Sequence, residues 1–213
     1  MADTWGDIHK KVYAGSEWIH KPSIFAETAA SYFPPTGRIL ELGAGQGQDG
    51  RFFAERGYEV TSTDLEQDAL DLSEQKLPKE LRSRLTLGRV DLGQVLPFED
   101  GVFDMVYAHL ALHYFDVRTT EQIFREIQRV LRPGGVLAFL VNSTSDPEFN
   151  TGRQIEPDYF HTDGMSKRYF TVASAGAFTN RFMVVLLDDK GETYKDMAKD
   201  VHNLIRFIGT KPE

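Results

Sequence analysis

The chain has 213 residues and a formal net charge of −8, a single domain's length with enough chain to bury a core. A 41% hydrophobic content with 15 Phe, 8 Tyr and 2 Trp places it among folded globular chains. The acidic balance, with no Lys/Arg cluster much larger than the Lys167-Arg168 pair, argues against tracking a nucleic-acid backbone, and the lack of cysteine removes disulfides, thiolate metal sites and Cys nucleophiles.

Residues 1–36 hold both tryptophans together with Tyr13, Phe25, Tyr32 and Phe33, and read as an N-terminal aromatic helical cap. The opening Met1-Ala2-Asp3-Thr4-Trp5-Gly6-Asp7 is acidic, with no basic stretch ahead of an apolar one, so no secretory signal is expected. The longest apolar runs, Val136–Val141 and Phe182–Leu187, have six residues each, far short of the about 20 that a membrane span needs. A cytoplasmic location follows as the expectation.

From residue 37 the chain alternates short apolar runs with amphipathic patterns. Arg38–Leu42 reads as a strand entering a glycine-rich turn, and Asp49–Arg56 as a helix that buries Phe52 and Phe53 and stops at Gly57. Tyr58–Thr63 is a second strand. Glu66–Leu77, with Ala69, Leu70, Leu72 and Leu77 apolar, is a helix ended by Pro78. Leu85–Val90 and Phe103–Ala108 are further strands. Thr119–Leu131 is a helix with Ile123, Phe124, Ile127 and Val130 at helical spacing, stopped by Arg132-Pro133-Gly134-Gly135 ahead of a strand at Val136–Val141. Strands and helices in this alternation predict a parallel sheet covered on both faces. Residues 142–170, rich in aromatics among Gly, Pro, Asp and Asn, fall outside the rhythm and read as an insertion on the substrate side. Phe182–Leu187 and Val201–Ile208 read as an antiparallel pair completing the sheet, joined by a polar link at 188–191.

The densest chemistry lies in Glu41-Leu42-Gly43-Ala44-Gly45-Gln46-Gly47-Gln48-Asp49-Gly50. Glycines after a strand let the backbone approach a ligand, and the following helix presents its N-terminal amides. Two registers fit. Gly45, Gly47 and Gly50 spell G-x-G-x-x-G with Asp64 downstream, the spacing of a dinucleotide site in an NAD-linked oxidoreductase. Glu41, Gly43, Gly45 and Gly47 spell E-x-G-x-G-x-G, which resembles motif I of class I S-adenosylmethionine-dependent methyltransferases. Later segments follow that family in order: Gly88-Arg89-Val90-Asp91-Leu92, then Leu96-Pro97-Phe98 leading to Phe103-Asp104-Met105-Val106, then Tyr107–Phe115, then Arg129-Val130-Leu131-Arg132-Pro133-Gly134-Gly135. The resemblance covers residues 37–142, with a weaker match to the final strands.

The resemblance implies a Rossmann-like, doubly wound α/β fold: a seven-stranded, mostly parallel sheet with an antiparallel C-terminal strand pair, in a domain spanning 37–213. It implies S-adenosyl-L-methionine as cofactor and S-adenosyl-L-homocysteine as product. Glu41 would support the amino end of the methionine moiety, and Gly43, Ala44, Gly45 and Gly47 would let the backbone close on it. Asp64 would accept from the ribose hydroxyls, its alternative being a helix cap with Gln67 as capping-box partner. Leu65 would pack on the adenine, Asp91 and Leu92 would hold the adenine edge, and Ala108 and His109 would line the site through backbone groups. Tyr13 and Trp18 are candidates for covering the cofactor or the acceptor. His113 is the candidate general base. His109 and His113 lack a third ligand and the H-E-x-x-H arrangement, so no metal is expected. Arg153, Lys167 and Arg168 are candidates for an anionic acceptor, with a solvated loop as the alternative.

The function expected is methyl transfer by in-line displacement to a small-molecule acceptor, with neither nucleic acid nor membrane as partner. An NAD-linked oxidoreductase, a peptide methyltransferase and a cofactor-binding protein without turnover stand as alternatives. The motifs separate neither O, N, C and S acceptors nor one oligomeric state from another.

Overall fold

Residues 20–194 and 202–213 are described by the computed structural model. Strand β1 (Arg38–Leu42) lies at the centre of the sheet, parallel to β2 (Glu59–Asp64) on one side and to β4 (Phe103–His109) on the other. Strand β3 (Leu85–Arg89) continues beyond β2, and β5 (Leu131–Val141) beyond β4. Strand β10 (Leu204–Thr210) runs antiparallel to β5, and β9 (Met183–Gly191) antiparallel to β10. The order is therefore β3-β2-β1-β4-β5-β10-β9, a seven-stranded sheet with the expected C-terminal antiparallel pair.

Both faces of the sheet are buried because side chains alternate across it. Leu40, Leu42, Val106 and Ala108 join one core, which helix α4 (Val117–Val130) covers with Ile123, Phe124, Ile127 and Val130. Ile39, Met105 and Tyr107 join the other, covered by α1 (Ile24–Ala30) and α2 (Gln48–Glu55) through Phe25, Ala26, Ala29, Phe52 and Phe53. Helix α3 (Gln67–Lys76) buries Ala69 and Leu70. None of the described helices is long and apolar enough to cross a membrane.

Three local expectations are revised. Helix α4 starts at Val117, capped by the Asp116 side chain on Thr119 N at 2.7 Å. It ends at Val130, and Arg132-Pro133-Gly134-Gly135, expected as a turn, is a bulge inside β5 between the pairs Phe103–Leu131 and Met105–Val136. Its backbone is satisfied by the chain terminus, since Gly134 N donates to Lys211 O and Lys211 N to Gly135 O. The polar residues 188–191, expected as a link, lie within β9, where Asp188 receives two hydrogen bonds from Arg206 across the strand pair, at 2.8 and 2.7 Å. The expected strand start at Val201 lies outside the described residues, and β10 begins at Leu204. The insertion is a second, antiparallel sheet of β6 (Arg153–Glu156), β7 (Tyr159–Thr162) and β8 (Met165–Arg168). Helix α5 (Val172–Phe178) follows, started by a reciprocal Thr171–Ser174 capping box.

Candidate functional site

The chain proceeds from β1 to β2 on one side, while β4 lies on the other, so a crevice opens at the carboxyl ends of β1 and β4 where the strand order reverses. A cavity of about 300 Å³ occupies it. The glycine loop forms its floor. Gly45 sits at φ 54°, a left-handed conformation in which a side chain is strained, and a Cβ there would meet nothing within 4 Å, so its backbone faces open space. Gly43 is backed by Ala111, whose Cβ lies 2.3 Å from where a Gly43 Cβ would stand.

Asp64, at the end of β2, ties the loop to the next helix. Its Oδ2 accepts from Gly45 N at 2.8 Å and its Oδ1 from Glu66 N at 2.9 Å, leaving further lone pairs toward the cavity. The alternative capping box does not form: Glu66 is the N-cap of α3, and Gln67 donates to Asp71. Asp91 folds back on Gly93 N at 2.8 Å. Leu65 lies 47% exposed on the cavity wall.

Two carboxyl groups lie deeper. Glu41 is 3% exposed and accepts a short hydrogen bond from Ser62 Oγ. Burial, and after it the neighbouring Asp49 carboxyl, raises its pKa to about 8 against the pull of Ser62 and Arg51. Asp49, in α2, receives Ser23 N at 2.6 Å, Ser23 Oγ at 2.8 Å and Tyr107 Oη at 2.8 Å. Burial, and then the Asp49 carboxyl, pushes the Tyr107 phenol well above its ordinary range, so it remains a donor. Ser23 also caps α1 by accepting from Ala26 N, so one buried cluster fastens α1 and β4 to the helix that follows the glycine loop.

Of the residues expected at the site, Glu41, Gly43, Ala44, Gly45, Asp64, Leu65, Asp91, Leu92 and His109 line the cavity together. Gly47 does not. It is the N-cap of α2, and a Cβ there would stand 2.0 Å from Ser73 Oγ, so its smallness serves the packing of α3. Ala108 is fully buried in the sheet core, with its Cα opposite Leu42 and Phe139. His113, expected as the base, is off the wall: it is 2% exposed, its ring lies 4.3 Å from that of Tyr114, and its carbonyl accepts from Arg168 N. Tyr13 and Trp18 lie outside the described residues. The described part of the expected cap, residues 20–36, contributes no residue to the wall and instead buries Phe25 and Phe33 in the sheet core. Lys167 and Arg168 are engaged with Glu148 and Glu156, and Arg153 is off the wall.

The wall also holds residues given no role from sequence, among them Gln46, Gln48, Asp49, Leu110, Tyr114, Phe115 and Met165. Leu110, at φ 54° without being glycine, turns the chain out of β4 and is held by its N–H on Leu140 O at 2.9 Å. Tyr114 and Phe115 were within reach of sequence, lying in the stretch after the fourth strand. Met165 carried no local signal.

Residues 40–139 match the family described as "Methyltransferase domain". A malonyl-[acyl-carrier protein] O-methyltransferase of Enterobacter lignolyticus is 36% identical over 103 residues, 48% of this chain and 38% of that protein. The chain spans less than half the length of the curated relatives it matches. In fold it is similar to an S-adenosylmethionine-dependent methyltransferase of Methanosarcina mazei, with TM-score 0.73 and 21% identity over 87% of this chain and 97% of the other. It is also similar to 1,6-didemethyltoxoflavin-N1-methyltransferase of Burkholderia thailandensis, solved with bound 1,6-didemethyltoxoflavin and S-adenosylhomocysteine, with TM-score 0.70 and 16% identity over 96% and 82% of the two chains.

Proposed function

From the premise that this chain carries a class I S-adenosylmethionine-dependent methyltransferase domain, we propose that it transfers the methyl group of S-adenosylmethionine to a small-molecule acceptor. The observation that carries this reading is the convergence of Glu41, the glycine loop, Asp64 and Asp91 on one cavity at the reversal of strand order. The cofactor's fit rests on Gly45, whose missing Cβ leaves open space in the floor, and on carboxyl groups placed for a ligand that carries hydroxyls, an amino group and an ammonium. Asp64 would hold the ribose hydroxyls, Asp91 and Leu92 the adenine edge, and Glu41 with the Gly43–Gly45 backbone the methionine end.

When bound, S-adenosylmethionine, held by Asp64, Asp91 and the Glu41 end of the glycine loop, would supply a methyl group activated by its sulfonium. The chain's own work is to hold donor and acceptor in line and exclude water. Among the described residues His109 is the imidazole on the wall, and in this reading His113 supports Tyr114 from behind. The relatives' names include both O- and N-methyltransferases, so they do not select the accepting atom.

Calorimetric titration with S-adenosylhomocysteine tests the cofactor half. Binding by the wild type and at least tenfold weaker binding by Asp64→Ala are expected. No binding by the wild type, or equal binding by the variant, overturns the reading, and saturable binding of NAD in its place would restore the oxidoreductase alternative.

A further inference from the structure

Among the described residues the cavity wall is drawn from the segment 41–115, with Met165 as the single contribution from outside it. Met165 stands there because β7 and β8 form a hairpin closed by Asp163-Gly164 at φ 51° and 82°, a mirror-image two-residue turn that sets the register Thr162–Met165. The base of the hairpin is clasped by Arg168, which is 6% exposed. Its N–H donates to His113 O at 2.7 Å and its Nε to Phe115 O at 3.2 Å, while its Nη2 reaches Glu156 at 2.5 Å. Tyr159 Oη adds a bond to Tyr114 O at 3.1 Å. The hairpin is therefore fastened to the same short segment that presents Tyr114 and Phe115 to the cavity.

The charged side chains that line this wall are one-sided, although Arg51, Lys76 and Arg89 stand behind it on Gln46 and Leu65. Five carboxyl side chains, those of Glu41, Asp49, Asp64, Glu66 and Asp91, line the cavity, and among the described residues no Lys or Arg does. Of the inserted sheet's cations, Lys167 is paired with Glu148 at 2.6 Å, Arg168 with Glu156 and carbonyls, and Arg153 lies off the wall. A bound cofactor carries one net positive charge, which offsets only part of such a set. A carboxylate or phosphate on the acceptor would enter a low-dielectric site against like charge without a partner.

We infer that Tyr114, Phe115 and the hairpin residue Met165 form the acceptor half of the cavity, and that it takes an uncharged, largely apolar small molecule. Arg168 is a positioning residue for this wall. The inference rests on the methyltransferase reading and deepens it by naming the acceptor's class.

The test incubates the protein with methyl-labelled S-adenosylmethionine and a cell extract, then divides labelled products into those extracted into organic solvent at neutral pH and those retained on an anion exchanger. Label in the organic fraction is expected. Met165→Glu should lower it at least tenfold while calorimetry shows unchanged affinity for S-adenosylhomocysteine, and Arg153→Gln, off the wall, should leave it unchanged. Arg168→Lys, which keeps the charge and loses the fork, should raise the acceptor's KM more than it lowers kcat. Label held on the exchanger or on protein overturns the acceptor class. Undiminished labelling by Met165→Glu overturns the wall. Bound S-adenosylhomocysteine with no label on anything refutes the catalytic reading itself, and this inference falls with it.

Discussion

Glu41 makes cofactor binding depend on pH. Its carboxyl has a pKa of about 8, set first by burial and then by Asp49. An ammonium placed against it favours the charged form, so binding releases a proton. At pH 7 a group of pKa about 8 is ionised in roughly one molecule in ten, and the apparent affinity is about a tenth of its alkaline plateau. At pH 6 it is about a hundredth. The affinity for S-adenosylhomocysteine should therefore rise about tenfold per pH unit from 6 to 8 and then flatten. Calorimetry in two buffers of different ionisation enthalpy should count about 0.9 proton released per ligand at pH 7. Glu41→Gln shares the ligand's own titration but not the carboxyl's, so the difference between the two profiles isolates Glu41. The same group acts on the empty protein with opposite sign. Because the folded pKa is raised, the stabilisation is full below the unfolded value near 4.5 and is lost as pH rises through about 8. Between pH 6 and 8.5 the wild type should lose roughly 2–3 kcal/mol relative to Glu41→Gln. A binding constant flat from pH 6 to 9, or a Glu41→Gln profile parallel to the wild type's, refutes the reasoning.

Three further substitutions separate binding from folding. Asp64→Ala removes the acceptor from both Gly45 N and Glu66 N, and denaturant titration should show a loss of about 1–3 kcal/mol beside the lost affinity. Asp64→Asn, which retains one acceptor oxygen, should recover part of the stability. Gly45→Ala meets no atom, so its stability by denaturant titration should fall only by the left-handed penalty of about 1 kcal/mol, while affinity for S-adenosylhomocysteine drops much further; Gly43→Ala, driven into Ala111, should lose both together. Tyr107→Phe keeps its packing against Phe25 and Phe53 but removes a donor from buried Asp49, and should cost about 1–3 kcal/mol by chemical denaturation.

The elements read well from sequence are those whose partners are close along the chain or whose periodicity is forced by burial. β1, β2 and β4 are sandwiched between two cores, and α2 ends at Glu55, with Gly57 at φ 96° just past its C-cap. The misreadings share a cause in distant partners. Arg132-Pro133-Gly134-Gly135 has turn chemistry, yet Lys211 holds its backbone in the sheet. Asp188 looks like a loop residue until Arg206 crosses from β10 to meet it. Strands β6 to β8 are four residues each, too short for a period to show, and β6 is exposed along most of its length. The site divides the same way. Glu41, the glycine loop, Asp64 and Asp91 fall in separate short motifs that follow one another in order, whereas the role of Asp49 depends on Ser23 and Tyr107, and Met165 reaches the cavity only through a hairpin register.

The two buried acids beneath the glycine loop carry opposite roles, which their donors distinguish. Asp49, in α2, takes hydrogen bonds from the backbone amide and hydroxyl of Ser23, at the start of α1, and from the phenol of Tyr107 in β4. Its desolvation is offset by protein donors, and removing any one of them weakens the join between α1, α2 and β4. Glu41 lies as deep but receives one hydroxyl, from Ser62, among the described residues, and the pull of Arg51 does not outweigh its burial and the Asp49 carboxyl. A carboxyl left short of donors in the folded protein is the one whose charge a cationic ligand can complete. The destabilisation that Glu41 imposes on the empty protein at alkaline pH is thus the reserve from which binding draws, and a substitution that relieves it should stabilise the fold and weaken the cofactor together.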